Sequence, residues 1–263
     1  MAQDFSEQLK QEVLARDDVK NGPKMNHSLQ QLARHRAREI SAALYNTGGA
    51  MVRSGPFRGM ILLNRYSERN VAPKLLGSYE QELHPIIERC IETPYDCVKN
   101  IGCGDGYYAI RMARRMTNCE ITAYELREDR QELTRDTAVE NGVRDRISIA
   151  GEYGAEELSA LAGKYVLIIC DIEGGKRELL DPEAILALKG FDIIVELQEV
   201  MDRVLPEETL ARFSESHDIE RLGHQERNPN AFEELQKASQ LDQWLALWEG
   251  RQGPTPWEFM RAR

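Results

Sequence analysis

The chain has no surplus of positive charge: 34 lysines and arginines stand against 44 aspartates and glutamates, a formal net charge of -10 over 263 residues. Binding along a nucleic-acid backbone usually brings a basic surface, so no DNA or RNA partner is expected. No apolar run approaches the length that crosses a bilayer, and the opening Met1-Ala2-Gln3-Asp4-Phe5-Ser6-Glu7 lacks the basic and apolar regions of a secretory signal. These absences predict a cytoplasmic protein with no membrane partner. Metal-type cysteine spacing is missing too. Cys90, Cys97, Cys103, Cys119 and Cys170 are scattered, several in or beside apolar segments, which predicts reduced thiols and no metal centre. Internal repeats and low-complexity tracts are also lacking. With 41% hydrophobic and 30% charged residues, the chain has enough apolar material to bury one α/β domain plus an additional segment.

One stretch stands out. Val98-Lys99-Asn100-Ile101 leads into Gly102-Cys103-Gly104-Asp105-Gly106, and a helical pattern restarts at Tyr107-Tyr108-Ala109. Glycines on alternate positions allow positive φ and let a ligand approach the backbone, where a side chain would stand in the way. The helix that follows presents free N–H groups at its start, which suits a carboxylate or phosphate. Ile121-Thr122-Ala123-Tyr124 then reads as the next strand, with Glu125 at its end. That acid lies about 20 residues past the glycines, where a Rossmann-like unit places the group that binds ribose hydroxyls.

The spacing separates two cofactor classes. A dinucleotide fingerprint puts its third glycine three positions after the second, and here that position is Tyr107. The observed Gly-x-Gly-x-Gly instead resembles the first motif of class I S-adenosylmethionine (SAM) methyltransferases. That resemblance implies a loop around the methionine portion of SAM and an acid on its ribose. An NAD-dependent oxidoreductase is the alternative from another class, and a SAM-binding protein without catalysis is a third.

The rest of the chain sorts into three parts. Residues 1–53 read as a helical arm of two or three helices, with Phe5, Leu9 and Val13 on one stripe and Leu29, Leu32, Ala33, Arg36 and Ile40 on another. Such an arm could cover a cofactor site, pair with a second subunit as a homodimer, or pack on the sheet. Residues 54–95 are rich in glycine and proline and end in a lead-in helix. From 96 to 263, strands at 96–101, 120–125, 146–150, 165–171 and 191–197 alternate with helices at 107–116, 128–140, 155–162 and 176–188. This alternation predicts a mostly parallel sheet with helices on both faces. Weaker strands are expected near 217–223 and 255–260, with a helix near 231–248.

In this architecture ligands sit outside the C-terminal strand ends. Those ends carry Gly102, Gly104, Asp105 and Gly106, then Glu125, then Glu152 and Tyr153, then Asp171 and Glu173, then Glu196 and Gln198. Two carboxylates ending the buried run 165–170 are costly unless they bind something. Asp171 or Glu173 could orient a substrate hydroxyl or amine, accept its proton, or hold a divalent metal with Glu196. Either could instead cap a helix or pair with an arginine. Glu196 and Gln198 alternate on one strand and so face one side. Cofactor contacts are therefore expected at Gly102, Gly104, Asp105, Gly106, Glu125, Glu152, Tyr153 and Asp171. Catalytic roles are expected at Asp171, Glu173 and Glu196, and acceptor contacts at Tyr79, Glu80, Glu173, Glu196 and Gln198.

Three segments taken together are similar to FkbM-like methyltransferases. They are Ile101-Gly102-Cys103-Gly104-Asp105-Gly106-Tyr107-Tyr108-Ala109, the run Asp171-Ile172-Glu173-Gly174-Gly175-Lys176-Arg177-Glu178-Leu179-Leu180, and Ile193-Ile194-Val195-Glu196-Leu197. The likeness spans about residues 96 to 200. It implies the Rossmann-like class I methyltransferase fold and methyl transfer from SAM, commonly to an oxygen of a small natural-product or sugar-like acceptor. The pattern departs at Asn100, where the family usually carries an acid, and at Gly175, where alanine is usual. Because carboxylates also bind guanidinium and ammonium groups, N-methylation of an amine, amino acid or guanidino compound is the alternative within this class.

Overall fold

The computed structural model describes residues 22–63, 71–197, 204–251, 253 and 255–263. Gln198 and the stripe of Phe5, Leu9 and Val13 lie outside the described residues. In chain order the helices are α1 (Gly22–Gly48), α2 (Ala72–Leu76), α3 (His84–Glu92), α4 (Tyr107–Arg115), α5 (Glu128–Glu140), α6 (Ala155–Ser159), α7 (Lys176–Leu179), α8 (Leu205–Phe213) and α9 (Gln240–Leu247). The strands are β1 (Cys97–Ile101), β2 (Glu120–Tyr124), β3 (Ile147–Ala150), β4 (Val166–Cys170), β5 (Asp192–Glu196), β6 (His217–Leu222) and β7 (Trp257–Ala262). These residues fall into two compact units, one of 22–49, 71–73 and 228–250, the other of 50–63, 74–197, 204–227, 251, 253 and 255–263.

In the smaller unit α1 packs on α9. Proline is tolerated in a first helical turn, where its missing N–H has no intrahelical partner, and α1 accordingly opens at Gly22-Pro23. Its buried positions are Ala37, Ser41 and Leu44, four and three residues apart, while Leu29 and Leu32 of the expected stripe stay exposed. Arg36 donates to both oxygens of Asp242, at 2.8 and 2.9 Å. Ser239 starts α9, its Oγ accepting from Asp242 N at 3.2 Å, and short 3₁₀ turns at Pro229–Ala231 and Glu233–Leu235 replace the first half of the helix expected at 231–248.

The larger unit is built on one sheet, in the order β3-β2-β1-β4-β5-β7-β6. The first five strands are parallel, and β7 lies antiparallel between β5 and β6. β1, β4 and β5 are buried along their whole length, as strands covered on both faces must be. Burying each such Val, Ile or Leu stabilises the fold by about 1.5–3 kcal/mol. One part of the core gathers Ile168, Val195, Phe191, Phe213 and Met260.

Register decides what the sheet presents. Ile101 sits opposite both Tyr124 and Cys170, and Cys170 opposite Val195, so the segments following β1, β2, β4 and β5 emerge at one edge. Because β7 runs the other way, Trp257 pairs with Glu196 and the residues preceding β7 enter from that same edge. The expected helix at 176–188 is instead the single turn of α7 followed by a 3₁₀ turn at Leu186–Gly190. Pro182 disfavours helical geometry at Asp181 and cannot donate, and Asp181 Oδ1 accepts from Glu183 N and Ala184 N at 3.0 and 3.2 Å.

Candidate functional site

The glycine turn is fastened to its neighbours by backbone. Gly102 N and Cys103 N both donate to Tyr124 O at 2.9 Å, and Asp171 N donates to Ile101 O at 2.9 Å. All three glycines have positive φ, but they do different things. A Cβ at Gly102 would lie 2.0 Å from Asp171 O, and one at Gly106 would lie 2.6 Å from Thr134 Cγ2 on α5. At Gly104 the nearest atom would be Arg130 Nη1 at 3.7 Å. Gly102 and Gly106 are thus packing glycines, whereas Gly104 faces space.

Glu125 joins the turn directly. Its Oε2 accepts from Gly104 N at 3.1 Å and its Oε1 from Arg127 N at 3.0 Å. A carboxylate offers about four lone-pair sites, so hydroxyl donors from a ligand still have acceptors there. Asp105 is turned to the other side. Its Oδ1 accepts from Tyr107 N at 3.3 Å and its Oδ2 pairs with Lys74 Nζ at 2.5 Å. Burial opposes its ionisation, but the Lys74 ammonium and the Tyr107 N–H hold its carboxyl below the ordinary value.

Residues 53–60 meet the segment 74–80, which runs from the end of α2. Arg53 N donates to Leu75 O at 2.9 Å and Ser54 Oγ to Leu76 O at 2.6 Å, while a Cβ on Gly77 would lie 2.1 Å from Ser54 O. Together they set aromatic rings around the start of α4. Phe57 stacks on Tyr107 with centroids 4.1 Å apart, Tyr79 meets Tyr107 edge-on at 5.6 Å, and Lys74 Nζ lies 4.9 Å from both tyrosine rings.

Beside this wall is a cluster of charged groups. Glu80 is 1% exposed and holds the left-handed φ of 48°. Among the described residues no other non-glycine has a positive φ, and such strain concentrates at functional positions. Tyr108 donates its hydroxyl to Glu80 Oε2, and Arg251 Nη2 donates to Glu80 Oε1 at 2.6 Å. Arg251 Nη1 also donates to Glu196 Oε1 at 2.5 Å and bonds Thr255 Oγ1. Asp171 lies within hydrogen-bond reach of Glu196. Burial, then the neighbouring Glu196 and Glu80, push the Asp171 carboxyl well above its ordinary value. Burial also penalises an ionised Glu196, but the hydrogen bond from Asp171 and the Arg251 guanidinium hold it below the usual range. The pair therefore keeps one proton, on Asp171.

This proton has a consequence for stability. Below the ordinary carboxylate value of about 3.9, Asp171 is protonated whether the chain is folded or not; above it, the unfolded chain ionises first, and stability falls until pH passes the raised folded value. Asparagine keeps a donor for Glu196 and has no charge to suppress. Asp171→Asn is thus expected to gain on the wild type between about pH 5 and about pH 8. Urea midpoints at the two pH values measure it, and an equal offset at both would contradict the protonation assigned here.

The remaining expected site residues are placed as follows. Glu173 and Glu152 are exposed, and Tyr153 is half-buried with its ring 4.2 Å from Tyr124. Asn100 is buried within β1, donating to Ile169 O at 3.3 Å, with its Oδ1 lacking a partner among the described residues. Lys74, Tyr108, Lys176 and Arg251 entered no sequence-based expectation. Tyr108 and Lys176 did sit inside the motifs, whereas Arg251 carries no local signal. A cleft of about 370 Å³ lies elsewhere, at the opposite edge of the sheet, lined by Tyr95, Tyr165, Asp192 and Arg261 among others. Asp192 already accepts three hydrogen bonds there, from Tyr95 Oη at 2.5 Å, Tyr165 Oη at 3.4 Å and Ala262 N at 2.9 Å. The glycine turn, where chemistry-bearing groups converge, is therefore the stronger candidate site than this cleft.

No family model matches this chain, and no curated protein does. Solved structures do. A precorrin-6y C5,15-methyltransferase from Geobacter metallireducens aligns with a TM-score of 0.51 at 15% identity, over 78% of this chain and 97% of that one. A Klebsiella pneumoniae protein described as an O-methyltransferase aligns with a TM-score of 0.48 at 12% identity, over 87% and 90%. The O-methyltransferase TomG from Streptomyces achromogenes, solved with SAM, aligns with a TM-score of 0.46 at 15% identity, over 72% and 82%. The first of these likenesses, with the strand order and the inserted antiparallel β7, identifies the Rossmann-like fold of class I methyltransferases. The dinucleotide Rossmann order 3-2-1-4-5-6 lacks that insertion.

Proposed function

We propose that this chain is a SAM-dependent methyltransferase that modifies an oxygen of a small-molecule acceptor, in the manner of FkbM-like enzymes. One observation carries the reading: the Glu125 carboxylate is bonded to Gly104 N at 3.1 Å, beside the turn glycine that faces space. An acid held against the backbone of a glycine whose side-chain face is open offers acceptors for ribose hydroxyls and room for a ligand chain. The residues present therefore fit SAM, with Gly104 along its methionine portion, Gly102, Asp105 and Gly106 shaping the turn that presents it, Glu125 on the ribose, and Glu152 and Tyr153 beside the adenine. When bound, SAM supplies an electrophilic methyl group on a sulfonium sulfur.

The protein's task is then alignment and exclusion of water. The rings of Phe57, Tyr79 and Tyr107 form an apolar wall, and Glu80, Asp171 and Glu196 line the acceptor side. Glu173 is proposed at its rim, and Gln198 stays an acceptor contact proposed from the sequence alone. Oxygen is favoured over nitrogen because Arg251 already satisfies Glu80 and Glu196 at 2.6 and 2.5 Å. A guanidinium or ammonium acceptor would have to displace it.

Incubation with methyl-labelled SAM and a small-molecule cell extract tests the proposal. Label is expected in methyl ethers or methyl esters formed from hydroxylated or acidic acceptors. Label in guanidino or amine products would replace O-transfer by N-transfer, and no label beyond the background of heat-inactivated protein would refute both.

A further inference from the structure

Lys176, the first residue of α7, is 3% exposed, and its Nζ has no hydrogen-bond partner among the described residues. An ammonium carries three donors and no acceptor, and burying it unsatisfied is strongly unfavourable. Its neighbours do not remove the problem. The ammonium is close enough to Asp171 and Glu196 to favour ionisation of both. Yet Asp171 keeps its proton, and Glu196 is engaged by Arg251 at 2.5 Å. Glu80 is engaged by Arg251 and Tyr108. Charge in the cluster balances, with Glu80 and Glu196 against Arg251 and Lys176, but hydrogen bonding does not. One buried cation still requires an acceptor atom.

Position says where that atom would come from. Lys176 follows β4 at the edge where ligands of this architecture bind, and Asp171 at the same strand end touches the glycine turn. We propose that the Lys176 ammonium binds an ionised oxygen of the methyl acceptor, so that the acceptor is an oxygen acid such as a phenol, enol or carboxylic acid. This rests on the methyltransferase reading and narrows its substrate class. Repulsion from Glu80 and Glu196 is offset by Arg251, which pairs with both, together with Lys176, so the anion meets a cluster of no net charge.

Three probes of similar size test this with the full chain: 4-nitrophenol, benzoate and benzylamine. An ammonium that binds 4-nitrophenol keeps it ionised, so adding wild-type protein is expected to raise the phenolate absorbance at a pH where the free probe is half protonated. Benzoate is expected to compete for the same site, and benzylamine is expected to bind at least about tenfold more weakly than either. In Lys176→Met the absorbance rise is expected to vanish and both anions to lose about tenfold or more in affinity. Lys176→Arg is expected to restore most of the binding. Thermal melting separates binding from scaffolding, since removing an unsatisfied buried charge is expected to leave the midpoint unchanged or higher.

Undiminished anion binding by Lys176→Met, tighter binding of benzylamine, or a clearly lowered midpoint overturns the inference. So does a wild type that binds SAM in calorimetry but none of the probes, an outcome that leaves the methyltransferase reading standing. Anion binding without SAM binding has the opposite meaning: the oxyanion site stands and the methyltransferase reading fails. A protein that binds neither overturns both.

Discussion

Replacing Glu125 with alanine is expected to weaken SAM binding about hundredfold, equivalent to ~2.7 kcal/mol. Hydrogen bonds to a charged acceptor are worth about 1.5–3 kcal/mol each, and two ribose hydroxyls would share this one. A second effect acts in the same direction. Glu125 also accepts from Gly104 N and Arg127 N, so its loss frees the N–H that fixes the open face of the turn. Glu125→Gln keeps the length and one acceptor oxygen, and should lose less. Calorimetric titration of the three proteins, each checked for an unchanged melting transition, measures the series. Equal affinities would remove Glu125 from the cofactor site.

Gly102→Ala is expected to be the most disruptive single methyl addition in the turn, costing about 4 kcal/mol or more. Two penalties add. A left-handed φ, here +78°, costs a residue bearing a Cβ about 1–2 kcal/mol. The new atom would also lie 2.0 Å from Asp171 O, against an ordinary contact of about 3.5–4.0 Å. The clash is with backbone, so β1 and β4 must separate at the site edge. Gly104→Ala is the informative partner. It carries the φ penalty at +58° but meets nothing nearer than 3.7 Å, so it should fold, with a midpoint only modestly lowered, and lose SAM affinity by obstruction. Urea unfolding paired with SAM titration distinguishes the two, and equal destabilisation by both would contradict the division between packing and ligand-facing glycines.

The sheet was legible where local chemistry determines it. The continuous apolar run at 166–170 and the apolar centre Ile193-Ile194-Val195 mark buried strands, β1 carries the polar pair Lys99-Asn100 between Val98 and Ile101, and glycines 102, 104 and 106 require a turn. Helix α5 matches its expected bounds of 128–140. The sequence misled where one residue outweighs a pattern: the apolar spacing across 176–188 suggests a helix, and Pro182 forbids it. The antiparallel place of β7 was not legible, because strand order depends on pairing between distant segments, and its signal is the same alternation as any edge strand.

The candidate site divides in the same way. Glycines and the acids at strand ends are visible because topology sends every parallel strand end to one edge. Their partners are not. Arg251 reaches Glu80 across 171 positions and Glu196 across 55, and nothing near it in the sequence marks it. Lys176 and Tyr108 stood within recognised motifs, but their isolation or pairing depends on burial, which periodicity does not report for a residue at a helix start.

Equilibrium titration of the purified wild-type chain with SAM, run in parallel with NAD, tests the central claim most directly. One-to-one binding of SAM with a dissociation constant on the order of micromolar, about -8 kcal/mol, and no saturable heat with NAD is the expected result. Saturable binding of NAD, or no heat with SAM at concentrations well above micromolar, would contradict it.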